Sequence, residues 1–327
     1  MFTDPTLLRS PTLGADKPQA DFLALTLARA AVRALYVEVA LEPKPGLVSL
    51  RDNGSHADMD AATFVRSLFA LRHYFVRIAQ AGAQGMDLPG LQALGLAAEA
   101  RMLAATGGVN THRGAVFGLG LLCAAAGRVL SLGQAPRAVL VRSALRVTWG
   151  EALVARAHAA RRVAPMSHGQ KAAQAHGVRS ALDEAALGFP TVFEVALPAL
   201  QAALAAGLGE RAARVQALFA SMAVLDDTNL VHRGGIAGLR WMQAQAQAFV
   251  AAGGVQQPDW LVQARALHLA AVQRRLSPGG SADVLASACW LAALEPGHAG
   301  ARQASPAQAQ APATASLWPV PAPAAHR

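Results

Sequence analysis

A polar cluster of His, Arg and Gly occurs twice in the chain, each time at the start of an apolar segment. The first copy begins at His112 in VNTHRGAVFGL, and the second begins at His232 in TNLVHRGGIAGL. Asn110 precedes the first copy and Asn229 the second. Histidine can bind phosphate or transfer a proton, arginine can hold two phosphate oxygens, and glycine lets backbone approach a ligand. We predict that both copies line one polyphosphate site, with His112 and His232 near a shared pocket. The repeat fits an ancient duplication or convergence on helix starts that bind anions.

Two adjacent carboxylates, Asp226 and Asp227, precede the second copy in the segment LDDTN. Two acids at a helix end are unfavourable, because the C-terminus of a helix already carries partial negative charge. A divalent cation such as Mg²⁺ would relieve the repulsion and could bridge to a polyphosphate. In the alternative interpretation Asp227 or Thr228 caps the next helix and Asp226 is solvated.

A third polar segment, RLSPGGSADVL, lies near the end of the apolar pattern. Ser281 has the properties of an N-cap, and Asp283 would lie in the first turn of the following helix. Free amides reached across glycines would form an anion site at this helix start. An ordinary turn followed by a capped helix explains the segment equally well.

The segment EVALEPKPGLVSLRDNGSHADMD places Glu38 and Glu42 four residues apart, on one face of a helix. Two prolines then flank Lys44 and hold it in an extended conformation. In a chain that otherwise uses arginine, this lysine indicates contact with phosphate, and a solvated lysine is the alternative. His56 follows, and Asp60 is placed to cap the next helix.

The segment 163–190 is predicted to be a connection that ends in GFP. Arg179 and Asp183 are four residues apart, which favours an intrahelical ion pair. We interpret His168 and His176 as ordinary surface or core histidines, because no pair with zinc-ligand spacing includes them.

The elements that must position these residues are helices. Ala and Leu dominate the apolar residues, aromatic residues make up only 5% of the chain, and no alternating strand pattern is present. Apolar residues recur three and four positions apart in the ranges 21–41, 60–81, 88–105, 114–129, 135–158, 191–206, 209–225, 234–252, 258–275 and 282–294. The sequence predicts an all-α fold: a single large multi-helix domain over 20–298, with the polar loops clustered around one cleft.

Both ends of the chain differ in composition from this domain. Residues 1–19 lack a periodic pattern and are predicted to be a flexible tail, and the Pro- and Ala-rich residues 299–327 are predicted to be disordered. No signal peptide is apparent, and the longest apolar run, 115–127, is shorter than the roughly 20 residues of a membrane span. Cys123 and Cys289 are predicted to be buried free thiols. We therefore expect a cytoplasmic protein without a membrane partner.

The net charge of +9 suggests a nucleic-acid partner, but the pattern of charges argues against one. Arginines are spread along the chain, and neither a basic block nor an aromatic platform for bases is present. Eleven of the 20 acidic residues lie in or beside the polar loops. This distribution favours a site for an anionic small molecule over a nucleic-acid surface.

Five polar segments in this order resemble the family of triphosphoribosyl-dephospho-coenzyme-A synthases, over roughly residues 30–290. They are EPKPGLV…NGSHADMD, GGVNTHRGAVF, HG…EAALGFP, LDDTNLVHRGG and LSPGGSADVLA. These enzymes make the prosthetic-group precursor of citrate lyase and malonate decarboxylase, and the Ala- and Arg-rich composition favours the malonate decarboxylase branch. The family often has a lysine where this chain has Arg113.

The resemblance implies a reaction in which ATP and 3′-dephospho-CoA give 2′-(5″-triphosphoribosyl)-3′-dephospho-CoA and adenine. Such a transfer through an oxocarbenium-like state requires a carboxylate, an acid for adenine and cations for the triphosphate. The resemblance also implies that Mg²⁺ accompanies ATP and that the enzyme uses no zinc, nicotinamide or flavin. A separate transferase would then load the product onto the acyl carrier protein of the decarboxylase or lyase.

Roles follow as hypotheses on the matching positions. The candidate catalytic residues are Asp226, Asp227, His112 and His232, and the candidate metal ligands are Asp226, Asp227, Glu38 and Asp58. Arg113, Arg233 and Lys44 are candidate phosphate ligands. The remaining candidate substrate-binding residues are Gly46, Asn53, His56, Asn110, Thr111, Gly114, Arg179, Glu184, Asn229, Gly234, Ser277, Gly279, Gly280, Ser281 and Asp283.

Two other functions are compatible with the sequence. A Mg²⁺-dependent all-α hydrolase of an ADP-ribosyl-type N-glycoside would use the same acidic loops and would release free sugar phosphate. A basic helical nucleic-acid binder would show affinity that depends steeply on salt.

Overall fold

A computed structural model of the chain describes residues 17–162 and 168–295, and within these ranges it contains helices and no strand. The α-helices are α1 (Lys17–Ala40), α2 (Ala61–Ala83), α3 (Leu88–Ala105), α4 (Arg113–Ser131), α5 (Ala138–Ala160), α6 (His168–His176), α7 (Ala181–Ala186), α8 (Leu197–Ala205), α9 (Gly209–Val224), α10 (Thr228–Ala251), α11 (Trp260–Gln273) and α12 (Gly279–Leu294). A π-helical turn, Thr191–Ala196, leads into α8, and a 3₁₀ turn, Gly254–Gln256, follows α10. The predicted all-α fold is confirmed.

Helix α4 lies at the centre and packs against α1, α2, α3, α5 and α12. Its small side chains let α2 approach backbone to backbone: a Cβ atom at Gly82 would lie 2.0 Å from the carbonyl oxygen of Ala124. The Tyr74 hydroxyl donates to the carbonyl oxygen of Val116 at 2.6 Å. Close contact between Ala- and Gly-rich helices therefore builds a dense core with few aromatic residues.

Helix α4 is also the one described helix with the length and composition of a membrane span, with a mean hydropathy of 1.6. It is longer than the apolar run seen in the sequence. Two thirds of its apolar window (67%) is buried by the rest of the fold, as expected for a central core helix. Cys123 lies on it as a buried free thiol, whereas the free thiol Cys289 on α12 is half-buried.

Several predicted boundaries differ from the structure. Helix α1 begins at Lys17, inside the segment predicted to be a flexible tail, and the segment 163–190 contains α6 and α7. Helix α10 begins at Thr228, six residues before the predicted start at 234, because the Asp227 side chain caps it. The predicted disordered segment 299–327 and residues 1–16 lie outside the described residues.

Candidate active site

The starts of α4, α10 and α12 meet, and two carboxylates of the chain bind their free amides. Asp227 accepts from the amide of Asn229 at 3.0 Å and so caps α10. Its other oxygen accepts from the amide of Ser281 at 2.8 Å and from its hydroxyl at 3.1 Å. The side chain that caps α10 therefore also caps α12. Asp283 accepts from the amide of Ala115 in the first turn of α4.

These contacts correct the interpretation of the SPGGS segment. Helix α12 begins at Gly279, with Pro278 at the capping position, so Ser281 is already inside the helix and does not cap it. The amides of Gly280 and Ser281 donate to Asp227. The positive end of this helix thus holds a carboxylate of the protein in the position where the sequence predicted a bound anion.

Glycines permit the close approach of both carboxylates. A Cβ atom at Gly114 would lie 1.9 Å from Oδ2 of Asp283, and one at Gly280 would lie 3.1 Å from Cγ of Asp227. The first distance cannot be tolerated without moving the carboxylate. The first His-Arg-Gly copy therefore uses its glycine to seat an acidic side chain of α12.

Lys44 and Glu38 form a buried ion pair beside this junction. The ammonium nitrogen lies 2.5 Å from Oε1 of Glu38, and Lys44 is only 2% exposed, so the solvated lysine of the alternative interpretation is wrong. Burial lowers the pKa of Lys44, and the Glu38 carboxylate counteracts that shift. The Lys44 carbonyl oxygen is bound by Nδ1 of His268 at 2.8 Å. Glu42, predicted on the same helical face as Glu38, lies beyond the end of α1 and pairs with Arg211.

His112 is 97% buried next to these groups, since only 3% of it is exposed. Its Nδ1 atom is 2.7 Å from the hydroxyl of Ser67, the ring of Phe64 packs edge-on at 5.0 Å, and Nε2 has no hydrogen-bond partner among the described residues. Burial, together with the nearby Lys44 charge, lowers the pKa of His112 to about 3. The imidazole is therefore neutral at physiological pH.

The pKa values of the Asp227 and Asp283 carboxyls are raised, whereas that of His112 is lowered. Burial raises the pKa of Asp227, although the amides of Ser281 and Gly280 oppose the shift. Burial, and then the charges of Glu38 and Asp227, raise the pKa of Asp283 well above its usual range. Several acids packed this closely favour retention of a proton at neutral pH. The junction of α1, α4, α10 and α12 thus brings together ionisable groups that are mostly buried, and we name them the acidic centre: Glu38, Lys44, His112, Asp227 and Asp283.

The second His-Arg-Gly copy has different surroundings. Arg233 donates to the carbonyl oxygens of Ser55 and Arg275, the latter at 2.7 Å, and so ties two loops to α10. A Cβ atom at Gly234 would meet the Leu276 side chain at 2.5 Å. The next glycine, Gly235, adopts φ 64° and ψ −169°, and this left-handed φ kinks α10.

The loops that Arg233 joins contact each other closely. Gly46 has φ 68°, and a Cβ atom there would lie 1.9 Å from the carbonyl oxygen of Leu276. The Ser55 hydroxyl donates to that oxygen at 2.6 Å, and Nε2 of His56 lies 2.9 Å from the Ser277 hydroxyl. The segment that contains Gly46 and Ser55 is therefore packed and hydrogen-bonded directly against the segment that contains Leu276 and Ser277.

Arg179 links another polar segment to the start of α10. Its amide donates to Oδ2 of Asp226 at 3.1 Å, and its guanidinium lies 3.2 Å from Oε1 of the buried Glu184. The predicted pair with Asp183 is wrong, because Arg179 precedes α7 and is not in it. Asp183 instead bonds Arg161 and the start of its own helix.

His232 lines a cavity between α6 and α10, and its other lining residues are Lys171, Ala172, Ala175, His176 and Val231. His112 is not among them. The two histidines of the repeated motif therefore do not line this cavity together, and the sequence-based prediction of a shared pocket gains no support from it.

The remaining predicted residues lie in the loops before α2 and α4 or at the start of α4. Asn110 accepts from the amide of Arg113 at 3.2 Å, and the Arg113 guanidinium pairs with Glu99 at 3.0 Å. The Thr111 hydroxyl is buried without a hydrogen-bond partner among the described residues. Asp58 lies 3.5 Å from Nδ1 of His56. Asn53 lies in the loop turn, where its carbonyl oxygen accepts from the amide of His56.

Within residues 17–162 and 168–295, no group of three His, Cys, Asp or Glu side chains is arranged to hold a metal ion. Among the four predicted ligands, Glu38 is taken by Lys44 and Asp227 by backbone amides. Asp226 and Asp58 have solvent-exposed side-chain area, 20% and 63% respectively. A cation that keeps water and phosphate ligands needs only one or two such carboxylates.

Three polar residues of this region belong to none of the predicted motifs: Ser67 binds His112, Glu99 pairs with Arg113, and His268 binds the Lys44 carbonyl oxygen and lies 3.2 Å from Asp52. Ser67 is a polar residue on the buried face of an otherwise apolar pattern in α2. That position was the one signal that could have identified it, because buried hydroxyls require a partner.

Comparison with known proteins identifies the family. The profile of the CitG family, described as ATP:dephospho-CoA triphosphoribosyl transferase, matches residues 24–301. A probable 2-(5″-triphosphoribosyl)-3′-dephosphocoenzyme-A synthase of Acinetobacter calcoaceticus is 38% identical over 282 residues, which cover 84% of this chain and 95% of the relative. No solved structure matches significantly. The chain belongs to the family of ATP:dephospho-CoA triphosphoribosyl transferases.

Proposed function

We propose that this member of the family transfers the 5-triphosphoribosyl group of ATP to the 2′-hydroxyl of 3′-dephospho-CoA and releases adenine. The matched region, residues 24–301, includes every group of the acidic centre. The observation that carries the proposal is this centre: buried carboxyls and a neutral imidazole at the junction of three helix starts, within a chain of this family.

The reaction requires one bond to break and one to form. The bond between the anomeric carbon of ATP and N9 of adenine breaks, and the 2′-oxygen of dephospho-CoA bonds to that carbon. The hydroxyl proton passes to a carboxylate, and adenine takes up a proton from an acid. A displacement with oxocarbenium character gains from carboxylates near the ribose and from acids whose pKa lies near neutrality.

The acidic centre supplies both kinds of group. The raised pKa of Asp283 makes its carboxyl the candidate acid for adenine, and Asp227 or Asp226 the candidate base. His112 is neutral, so we assign it a hydrogen-bonding role rather than proton donation from an imidazolium. Lys44 is held by Glu38 and therefore contributes charge to the centre instead of acting as an open phosphate ligand.

Mg²⁺ would arrive with the triphosphate and would offset the negative charge of the phosphate oxygens. The exposed oxygens of Asp226 and Asp58 suit a cation that retains phosphate and water ligands. In the same proposal Arg179, which lies against Asp226, helps to balance the charge at the start of α10.

We further propose that the product serves the malonate decarboxylase pathway in the cytoplasm. A separate transferase would load it onto the acyl carrier protein of the decarboxylase. The Ala- and Arg-rich composition supports this branch over citrate lyase. Supplying the product, the loading transferase and either acyl carrier protein to one assay, and following carrier mass, separates the two branches.

The proposed transfer is tested by incubating the purified protein with ATP, Mg²⁺ and dephospho-CoA. Adenine release should require dephospho-CoA, and mass spectrometry should detect the coupled product. Release of adenine and sugar phosphate without dephospho-CoA would instead favour the N-glycoside hydrolase. Asp226→Asn should lower the rate by about tenfold or more. The substitution removes the carboxylate charge that we propose as the base or as a ligand of the cation, and to which the Arg179 amide donates. Asp259→Asn, at the start of α11, is the matched control and should retain activity.

A further inference from the structure

The cavity between α6 and α10 is a candidate second part of the substrate site. It has a volume of ≈ 210 Å³, and its lining residues among those the structure describes belong to these two helices. On α6, Lys171 and Ala175 form one row and Ala172 and His176 a second, because residues four apart share a helix face. The lining thus includes two small side chains, Ala172 and Ala175.

Among the described residues, the lining is basic and contains no acid. Its three polar members, Lys171, His176 and His232, carry nitrogen donors. Lys171 is exposed and has no ion-pair partner among the residues that the structure describes. The acids nearest in sequence bind other groups: Asp227 accepts from the amides of Asn229 and Ser281, and Asp183 binds Arg161 and Ser180. The cavity therefore presents the charge of Lys171, which no carboxylate within residues 17–162 and 168–295 pairs with.

The cavity can hold more than one phosphoryl group. A water molecule occupies about 30 Å³ in the liquid, so the available ≈ 210 Å³ exceeds the space of several waters. Lysine contacts phosphate as a point charge, and imidazole N–H groups donate hydrogen bonds to its oxygens. Linked phosphates of a nucleotide match this lining in both charge and size.

Helix α10 connects the cavity to the acidic centre. Asp227 caps this helix, and His232 lies five positions further along it, which corresponds to roughly 7 Å along the helix axis. A phosphate chain on the 5′-carbon of a ribose spans such a distance. The cavity and the acidic centre therefore lie within about two turns of the same helix.

We propose that this cavity binds the linked phosphates of a substrate, with Lys171 as the charged contact and His176 and His232 as hydrogen-bond donors. The inference rests on the proposed function, to which it adds the location of the phosphate groups. The triphosphate of ATP and the diphosphate of dephospho-CoA share this chemistry, and the experiment distinguishes them.

The experiment compares Lys171→Gln and His176→Ala with the wild type. The controls are Arg72→Gln and His73→Ala, which change exposed residues of the same types of charge on α2. Calorimetry measures binding of tripolyphosphate and pyrophosphate, and steady-state assays vary ATP and dephospho-CoA separately. Circular dichroism during heating verifies that each variant is folded.

We expect each cavity variant to weaken tripolyphosphate binding by about tenfold. The KM of one substrate should rise by a similar factor while kcat changes little, and that substrate is the one whose phosphates occupy the cavity. Unchanged probe affinity, or an unchanged KM for both substrates, overturns the inference. A wild type that binds tripolyphosphate through Lys171 but releases no adenine refutes the proposed function and leaves the anion site standing.

Discussion

The two His-Arg-Gly copies have the same sequence and opposite environments. In the first copy the motif starts a helix: His112 occupies the capping position of α4, is buried, and has Nδ1 bound to Ser67. In the second copy the motif lies inside α10, which begins four residues before the exposed His232. The first copy belongs to the acidic centre, whereas the second ties loops together and faces a basic cavity.

The difference shows that a motif does not carry a role by itself. Gly114 admits the Asp283 carboxylate, while Gly234 faces the end of the Leu276 side chain. Arg113 pairs with Glu99 at the surface, while Arg233 binds backbone carbonyl oxygens of two separate loops. The same substitution can therefore be made in each copy, and the difference between the two variants measures the effect of the environment on that residue.

The largest difference is expected between the two glycines. In Gly114→Ala the new methyl group would lie 1.9 Å from Oδ2 of Asp283 and must displace the carboxylate. Because a displacement of about 1 Å in a reacting centre can reduce the rate about 100-fold, we expect a loss of that size in adenine release. Gly234→Ala contacts a leucine methyl group that can rotate away, so it should keep most of the activity. Equal losses in the two variants would contradict the expectation that displacing Asp283 is what lowers the activity.

A smaller difference should appear in the pH dependence of stability. The ordinary pKa of histidine is about 6.5, and that of His112 is lowered to about 3 in the folded protein. Between these values the unfolded chain binds a proton that the folded protein does not. The free energy of unfolding therefore falls by up to about 1.4 kcal/mol for each pH unit below about 6.5. Well above that pH, His112 is neutral in both the folded and the unfolded chain, so it contributes no pH dependence.

Urea unfolding at several pH values measures this effect. Between about pH 6.5 and pH 5 the wild type should lose about 2 kcal/mol more than His112→Gln, which has no imidazole to protonate. His232→Gln provides the matching change in the second copy and shows the effect of losing an exposed imidazole. If His112→Gln follows the wild-type pH dependence, the imidazole of His112 is not protected from protonation by the fold.

The smallest difference is expected between the two arginines. The Arg113–Glu99 pair is partly exposed, and such pairs contribute about 0–1 kcal/mol. Arg233 joins two loops through their carbonyl oxygens, and Arg233→Lys cannot make both contacts in the same geometry. We expect Arg233→Lys to lower the free energy of unfolding by about 1 kcal/mol more than Arg113→Lys, as measured in urea. The reverse order would mean that the two loops are held mainly by other contacts.

Much of the fold could be predicted from local pattern. The range 88–105 matches α3 at both ends, the predicted 209–225 matches α9 to within one residue, and Asp60 caps α2 as expected. These features depend on apolar spacing and on side chains close in sequence. Helices α6 and α7 were missed because their segment is rich in Gly, His and charged residues, and contacts with α10 and α5 stabilise them.

The candidate site was predicted less completely, although its residues were named. The sequence marked Lys44, Asp227 and Asp283, yet it gave no sign that Lys44 is buried against Glu38. Nor could it show that Asp227 caps a helix whose bonded residue is 54 positions away. Such contacts join residues that share no local pattern, so spacing along the chain carries no information about them.

What the sequence alone determined is therefore most of the helices, the polar loops between them and the family to which those loops belong. The tertiary structure decided which charges meet, which amides each carboxylate occupies, and which copy of the motif is buried. The physical reason is that helix formation depends mainly on residues within a few positions. Burial, pKa and cavity shape instead depend on distant segments that only the packed fold brings together.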